Sequence, residues 1–212
     1  RGVLTGGFQM KNTRVQKMVA VAMFAAIALV LQYFAFPIMP AFSFLKIDFS
    51  DISVLISMFL FGPAAGVATA FLRSVLHLLT TGFSPDNLVG DTASFLSTTI
   101  FTFPIYYFFS VKKQHKGRNK FLGVITGTIA LTIFMSIANY FVITPLYLMF
   151  LGLNATQMLG MSLANYVLIG IVPFNLIKGF IVSAVFLVLH AQLLPWLSRK
   201  QHQFEQRHTA VK

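Results

Sequence analysis

Cysteine is absent, and acidic residues number only five among 212. The first absence excludes a disulfide framework, a thiolate nucleophile, Cys-ligated zinc and iron–sulfur clusters. The second leaves charged residues at 10% of the chain, whereas a soluble domain needs about a quarter of its residues charged to keep its surface wet. Signature motifs are missing too. No G-x-x-x-x-G-K-[ST] is present, so the chain does not power itself through a P-loop, and neither H-E-x-x-H nor G-x-S-x-G offers hydrolytic chemistry. No internal repeat of the kind built into many secondary transporters is evident, and Asp91 is the only acid near the interior of an apolar run.

In place of charge there are hydrophobic residues, 57% of the chain with 24 phenylalanines, and a mean hydropathy of +0.78. Lipid is the solvent that suits such a composition, which predicts an all-α, polytopic membrane protein. The net charge of +11 has two readings, nucleic acid or membrane topology. Position decides between them. Thirteen of the sixteen Lys and Arg residues fall in three flanks: before the first apolar run (Arg1, Lys11, Arg14, Lys17), in one loop (Lys112, Lys113, Lys116, Arg118, Lys120) and in the tail (Arg199, Lys200, Arg207, Lys212). A nucleic-acid binder would interleave its cations with polar and aromatic groups on a soluble surface, which is lacking here.

The apolar runs are Met18–Phe36, Ile52–Leu79, Leu88–Val111, Phe121 to about Phe150 and Asn165 to about Trp196. Gly62-Pro63 interrupts the second, because proline lacks an amide proton and disfavours helix at the residue before it. Splitting that run in two puts all three basic flanks on one side, as the positive-inside rule demands. Six transmembrane helices with both termini cytoplasmic are therefore expected, in the cell membrane. Residues 1–9 precede Met10 and read as an appended remnant, 10–198 as the six-helix membrane domain and 199–212 as a basic cytoplasmic tail.

Three cations stand outside the flanks: Lys46, Arg73 and Lys178. An ionisable group deep in a bilayer must be paired, face water or touch a ligand. Lys178 shares a helix face with Asn175, three residues earlier, and Asn139 is a further hydrogen-bonding group in the run Phe121 to about Phe150. The three can meet a neutral polar ligand, or bond one another and carbonyls freed near Pro145 and Pro173. Arg73 can snorkel or pair with Asp91 or Asp51. Asp48 and Asp51 suit the start of a helix better than an acid–base couple. His77 and His190 have no acid or second histidine at ligand spacing, so no metal site is expected. Ala22-x-x-x-Ala26, Gly62/Gly66 and Gly123/Gly127 have the small-residue spacing that lets helices approach closely.

Taken in order, Phe44-Leu-Lys-Ile-Asp-Phe-Ser-Asp51, Gly62-Pro-Ala-Ala-Gly66, Leu76-His-Leu-Leu79, Asn139-Tyr-x-x-x-Thr-Pro-Leu-Tyr147 and Pro173-Phe-Asn-Leu-Ile-Lys-Gly179 resemble the riboflavin-specific substrate-binding subunits (S components) of energy-coupling-factor vitamin transporters. The resemblance spans about Lys17 to Leu194. It implies six helices that capture a vitamin from outside and deliver it with a transmembrane coupling protein and two ATPases, with no cofactor and no chemistry of their own. It places the ligand on Asn139, Asn175 and Lys178 under a lid at residues 42–48, with Phe44, Lys46 and Asp48 around it and a backbone contact from Leu45. It also implies a coupling surface at Ala22 and Ala26. The alternatives are an S component for another neutral vitamin or an intramembrane enzyme, in which His77 or His190 would be the obligatory base. FMN is expected to bind less well than riboflavin, since one buried cation beside aspartates poorly compensates a dianionic phosphate.

Overall fold

The computed structural model describes residues 14–111 and 116–209, with side chains described for 14–110 and 117–192. The remnant expected at residues 1–9 lies outside them, as do the side chains of the tail from residue 199.

Helix α1 (Arg14–Tyr33) is unbroken and turns only Val21, Ala25 and Ala28 fully inward. A short excursion follows: β1 (Phe36–Pro37), a 3-10 turn at Pro40–Phe42, and β2 (Lys46–Ile47), with β1 and β2 paired antiparallel so that Phe36 faces Ile47 and Pro37 faces Lys46. Next come α2 (Ser50–Phe61) and α3 (Pro63–Thr81). The expected interruption at Gly62-Pro63 is a corner between two helices. Gly62 has φ +97°, a backbone setting that disfavours any side chain, and Pro63 opens α3 where its missing N–H costs nothing. The two helices then fold back on each other, with Ser57 and Thr69 hydroxyls 2.7 Å apart.

Helix α4 (Pro85–Tyr106) continues as a π-helical turn at Tyr107–Val111. A long helix follows, built from α5 (Lys116–Ala138), a π turn at Asn139–Ile143 and α6 (Thr144–Leu151). After the short α7 (Ala155–Leu159) comes another: α8 (Leu163–Tyr166), a π turn at Val167–Ile171 and α9 (Val172–Thr209). The second and third π turns end two residues before Pro145 and Pro173, and at each the next amide reaches back five residues, Thr144 N–H to Asn139 O and Val172 N–H to Val167 O. A proline cannot donate and its ring crowds the carbonyl four residues back, so the ladder widens just before it.

Among the described residues, four helical stretches are long and apolar enough to cross a membrane: Arg14–Tyr33, Pro63–Thr81, Gly117–Leu151 and Leu163–Gln192. The twelve-residue α2 and the Ser- and Thr-rich α4 are not among them. One core cluster joins α2, α4, α5 and α9 through Ile52, Leu55, Phe101, Ile105, Leu131, Val182 and Phe186. Helices α4 and α5 pack tightly at Gly127, where a Cβ would sit 2.8 Å from the Phe101 carbonyl oxygen. A second cluster, Phe42, Leu159, Tyr166, Val167 and Ile171, joins the β1–β2 excursion to the segment before α9.

Candidate functional site

Between these two clusters lies a cavity of about 410 Å³. Its walls follow helical spacing. Gly90, Ala93, Ser94 and Ser97 come from one face of α4, and Ile171, Phe174, Asn175 and Lys178 from one face of α9 and the turn before it; both sets fall at i, i+3, i+4 and i+7. Small side chains on α4 leave the space, and larger ones on α9 furnish it. Met135, Asn139 and Ile143, four residues apart, and Thr144 and Tyr147 close the third side. Phe44, Leu45, Lys46 and Asp48 form the roof.

All seven ligand-site residues expected from the sequence, Phe44, Leu45, Lys46, Asp48, Asn139, Asn175 and Lys178, line this one cavity. Asn139 donates from Nδ2 to the Met135 carbonyl at 2.8 Å and accepts from the Thr144 hydroxyl at 3.1 Å. Asn175 donates from Nδ2 to the Ile171 carbonyl at 2.8 Å. Each amide is thus oriented by the carbonyl four residues back, and each side chain is fixed rather than free to rotate. The roof is tied down by aromatic contacts, with Phe42 edge-on to Tyr166 at 5.4 Å and Phe44 tilted against Tyr166 at 6.0 Å between ring centres. Leu45 N–H donates to the Phe42 carbonyl at 2.9 Å, so a backbone contact from Leu45 to a ligand falls to its carbonyl.

Lys178 reaches the cavity through paired charges: its Nζ is 3.7 Å from Asp48 Oδ2 and 3.5 Å from Asp51 Oδ2. Of the two acids open to Arg73, Asp51 is the partner, at 3.4 Å. Asp91 instead accepts His77, Nδ1 to Oδ2 at 2.8 Å, a pairing across fourteen residues that helical spacing does not reveal. His190 is ringed by Phe59, Phe109 and Phe186. Among the described residues no three His, Asp or Glu side chains converge as metal ligands.

Sequence reasoning passed over Ser94, Ser97, Thr144, Tyr147, Tyr166 and Phe174 as wall residues. A signal existed for some: Phe174 is a helix-face neighbour of Lys178, and Ser94 and Ser97 share the small-residue face with Gly90, where a Cβ would lie 2.9 Å from the Tyr147 hydroxyl. Ala22 and Ala26 do not line the cavity and are exposed on α1 among Met18, Val19 and Met23.

A cavity of this size falls within the ~300–1,000 Å³ usual for small ligands. Set in an apolar helical bundle, roofed by a two-strand flap and walled by a few fixed polar groups, it defines a membrane protein that binds a small molecule. The chain belongs to the family of ECF transporter substrate-specific components, whose family model matches residues 16–190. It is 36% identical over 188 residues to the riboflavin transporter FmnP of Bacillus subtilis, covering 89% of this chain and 97% of that protein. It is 37% identical over 186 residues to the riboflavin transporter RibU of Streptococcus thermophilus, covering 88% and 85%. A solved S component of a bacterial ECF transporter superposes with a TM-score of 0.69 at 35% identity, covering 87% of this chain and 99% of that one. These relatives are named as transporters, not as enzymes.

Proposed function

We propose that this chain captures riboflavin from outside the cell as the substrate-binding component of an energy-coupling-factor transporter. The observation that carries the reading is the convergence of Asn139, Asn175 and Lys178 on one cavity whose other walls are apolar and aromatic, in a chain more than a third identical to two riboflavin transporters. Riboflavin is neutral, with a flat apolar ring system and a pyrimidine edge of donors and acceptors. Phe44, Tyr166, Phe174 and Met135 suit the ring faces, the two amides and the ammonium suit the edge, and Ser94, Ser97 and Tyr147 suit the ribityl hydroxyls. The groove is a binder's: uptake is driven elsewhere, by a transmembrane coupling protein and two ATPases, which agrees with the missing P-loop.

In this reading the chain crosses the membrane six times with both termini cytoplasmic, and the flap at residues 36–47 faces outward. Asp91, Ser97, Thr98 and Thr102 of α4 are buried among its neighbours and Ser94 lines the cavity, which supports its crossing despite its composition. The exposed Ala22 and Ala26 on α1 form the shallow strip that a coupling helix can approach. FMN binds less well than riboflavin, because the Lys178 charge is already shared by two carboxylates and a phosphate dianion would meet the acids as well.

The purified protein is expected to be yellow, or to quench riboflavin fluorescence stoichiometrically. A colourless preparation that leaves the fluorescence unchanged would sink the flavin reading, and saturable binding of a different neutral vitamin would replace it.

A further inference from the structure

Four charges from four places in the fold meet beside the cavity: Asp48 after β2, Asp51 on α2, Arg73 on α3 and Lys178 on α9, the first and last half-buried. Only Asp48 and Lys178 touch the cavity. Asp51 and Arg73 stand behind them, 2% and 1% exposed.

The two oxygens of each carboxylate do different work. Asp48 Oδ1 accepts the Ser50 amide at 2.8 Å and the Ser50 hydroxyl. Asp51 Oδ1 accepts the Thr98 hydroxyl at 2.5 Å and Arg73 Nη1 at 3.4 Å. Arg73 is fixed in turn by Ser50 Oγ at 2.7 Å, Ser94 Oγ at 2.8 Å and Thr98 Oγ1 at 3.1 Å. The remaining Oδ2 atoms face Lys178 at 3.7 and 3.5 Å, beyond the ~2.7–2.9 Å of a direct ammonium–carboxylate hydrogen bond.

The geometry confines Lys178 between two requirements. A lysine this buried with no counter-charge would be driven neutral and lose donors. A lysine gripped at bonding distance by both carboxylates would spend two of its three N–H donors on them and keep only one for a ligand. A clamped carboxylate held just out of contact satisfies both, since it supplies potential without consuming a hydrogen.

We propose that Asp51 is a positioning residue for ligand capture: clamped by Arg73 and Thr98, it keeps the Lys178 ammonium aimed at the cavity through a shared, loose ion pair. This rests on the reading of Lys178 as a riboflavin donor and deepens it. The titratable and charged groups around Lys178 are Asp48, Asp51 and Arg73, with Lys46, Tyr147 and Tyr166 on other parts of the cavity wall.

The test is riboflavin fluorescence quenching by the full chain in detergent, from about pH 6 to pH 9. The paired replacement Asp51→Asn with Arg73→Gln removes one charge of each sign and leaves no orphaned ion. It is expected to weaken binding about tenfold at neutral pH, with a further loss as pH rises, because binding needs charged Lys178 and its counter-charge has been halved. Wild type is expected to stay flat over the same range. In a Lys178→Met background the pair should add no further loss. Thr98→Val loosens Asp51 without touching any charge, and should cost about two- to threefold, again only while Lys178 is present.

A loss of equal size in the Lys178→Met background overturns the proposal, as does wild-type affinity with a flat pH profile in the paired variant. Should that variant fail to fold, the Thr98→Val cycle decides alone by the same criterion. Wild type that binds while the cycles prove additive refutes the role of Asp51 and spares the riboflavin reading. Wild type that quenches nothing refutes both.

Discussion

Helix α1 and the two interrupted helices, α5–α6 and α8–α9, meet the same demand for length in opposite ways. Helix α1 runs twenty residues without a proline and buries a narrow stripe of Val21, Ala25 and Ala28. The interrupted helices each widen into a five-residue π turn ahead of a proline, and each such turn sits at an asparagine of the cavity: Asn139 begins one, and Asn175 lies four residues after the last residue of the other. An intact ladder satisfies its own backbone and offers lipid or a partner helix a smooth side. A broken ladder gives up backbone bonds, and here the two asparagine amides beside the turns, Asn139 on the Met135 carbonyl and Asn175 on the Ile171 carbonyl, also line the cavity. In the proposed function, ligand chemistry falls where the helices are irregular, and the surface offered for assembly where one is regular.

The most severe way to break this contrast is to remove the polar groups of the interrupted helices. Asn175→Ala and Lys178→Ala are each expected to weaken riboflavin binding about ten- to a hundredfold, as for hydrogen bonds to charged or buried groups. Unchanged affinity in both would move the site elsewhere. A milder change targets the irregularity itself. Pro173→Ala and Pro145→Ala permit a regular ladder and rotate the neighbouring amide, with an expected loss of about fivefold, near the ~1 kcal/mol of one misplaced hydrogen bond. Equal affinity in both variants, read by the same quenching titration, would mean that the π turns are incidental to capture.

Packing should respond less on the ligand side than on the stability side. Gly127→Leu drives a side chain into the Phe101 carbonyl and is expected to cost about 1–3 kcal/mol of stability, read as lower thermal resistance in detergent. The smallest effect on affinity belongs to α1. Ala22→Trp or Ala26→Trp should leave riboflavin binding unchanged while stopping uptake in cells. Retained uptake would return those alanines to ordinary lipid contact.

Much of this contrast could be read from the sequence, and the reasons for the remainder are physical. Sorting cations by flank left Lys178 and Arg73 as exceptions, and the cost of a lone charge in lipid required partners for both. Which partners could not be read. Asp51 stands 127 residues from Lys178 and 22 from Arg73, and pairing across such separations is decided by how helices pack. The alternatives open to Arg73 were Asp51 and Asp91; Asp91 is taken by His77. The corner at Gly62-Pro63 was legible because glycine and proline act locally. The π turns were not, since a widened ladder leaves no residue signature beyond the proline that follows it. The two longest apolar runs, Phe121 to about Phe150 and Asn165 to about Trp196, are the ones that contain the second and third π turns.

The charge quartet carries one more consequence. Asp48, Asp51, Arg73 and Lys178 sum to zero, so shifting them together along the membrane normal transports no current. A solitary Lys178 would meet about 2.3 kcal/mol of electrical work per 100 mV for a full crossing. With its counter-ions attached, a neutral vitamin can be captured and handed inward without drawing on, or being opposed by, the resting potential. Binding to vesicles clamped at opposite polarities should therefore be the same, and a polarity-dependent affinity would reveal that the quartet comes apart when the ligand arrives.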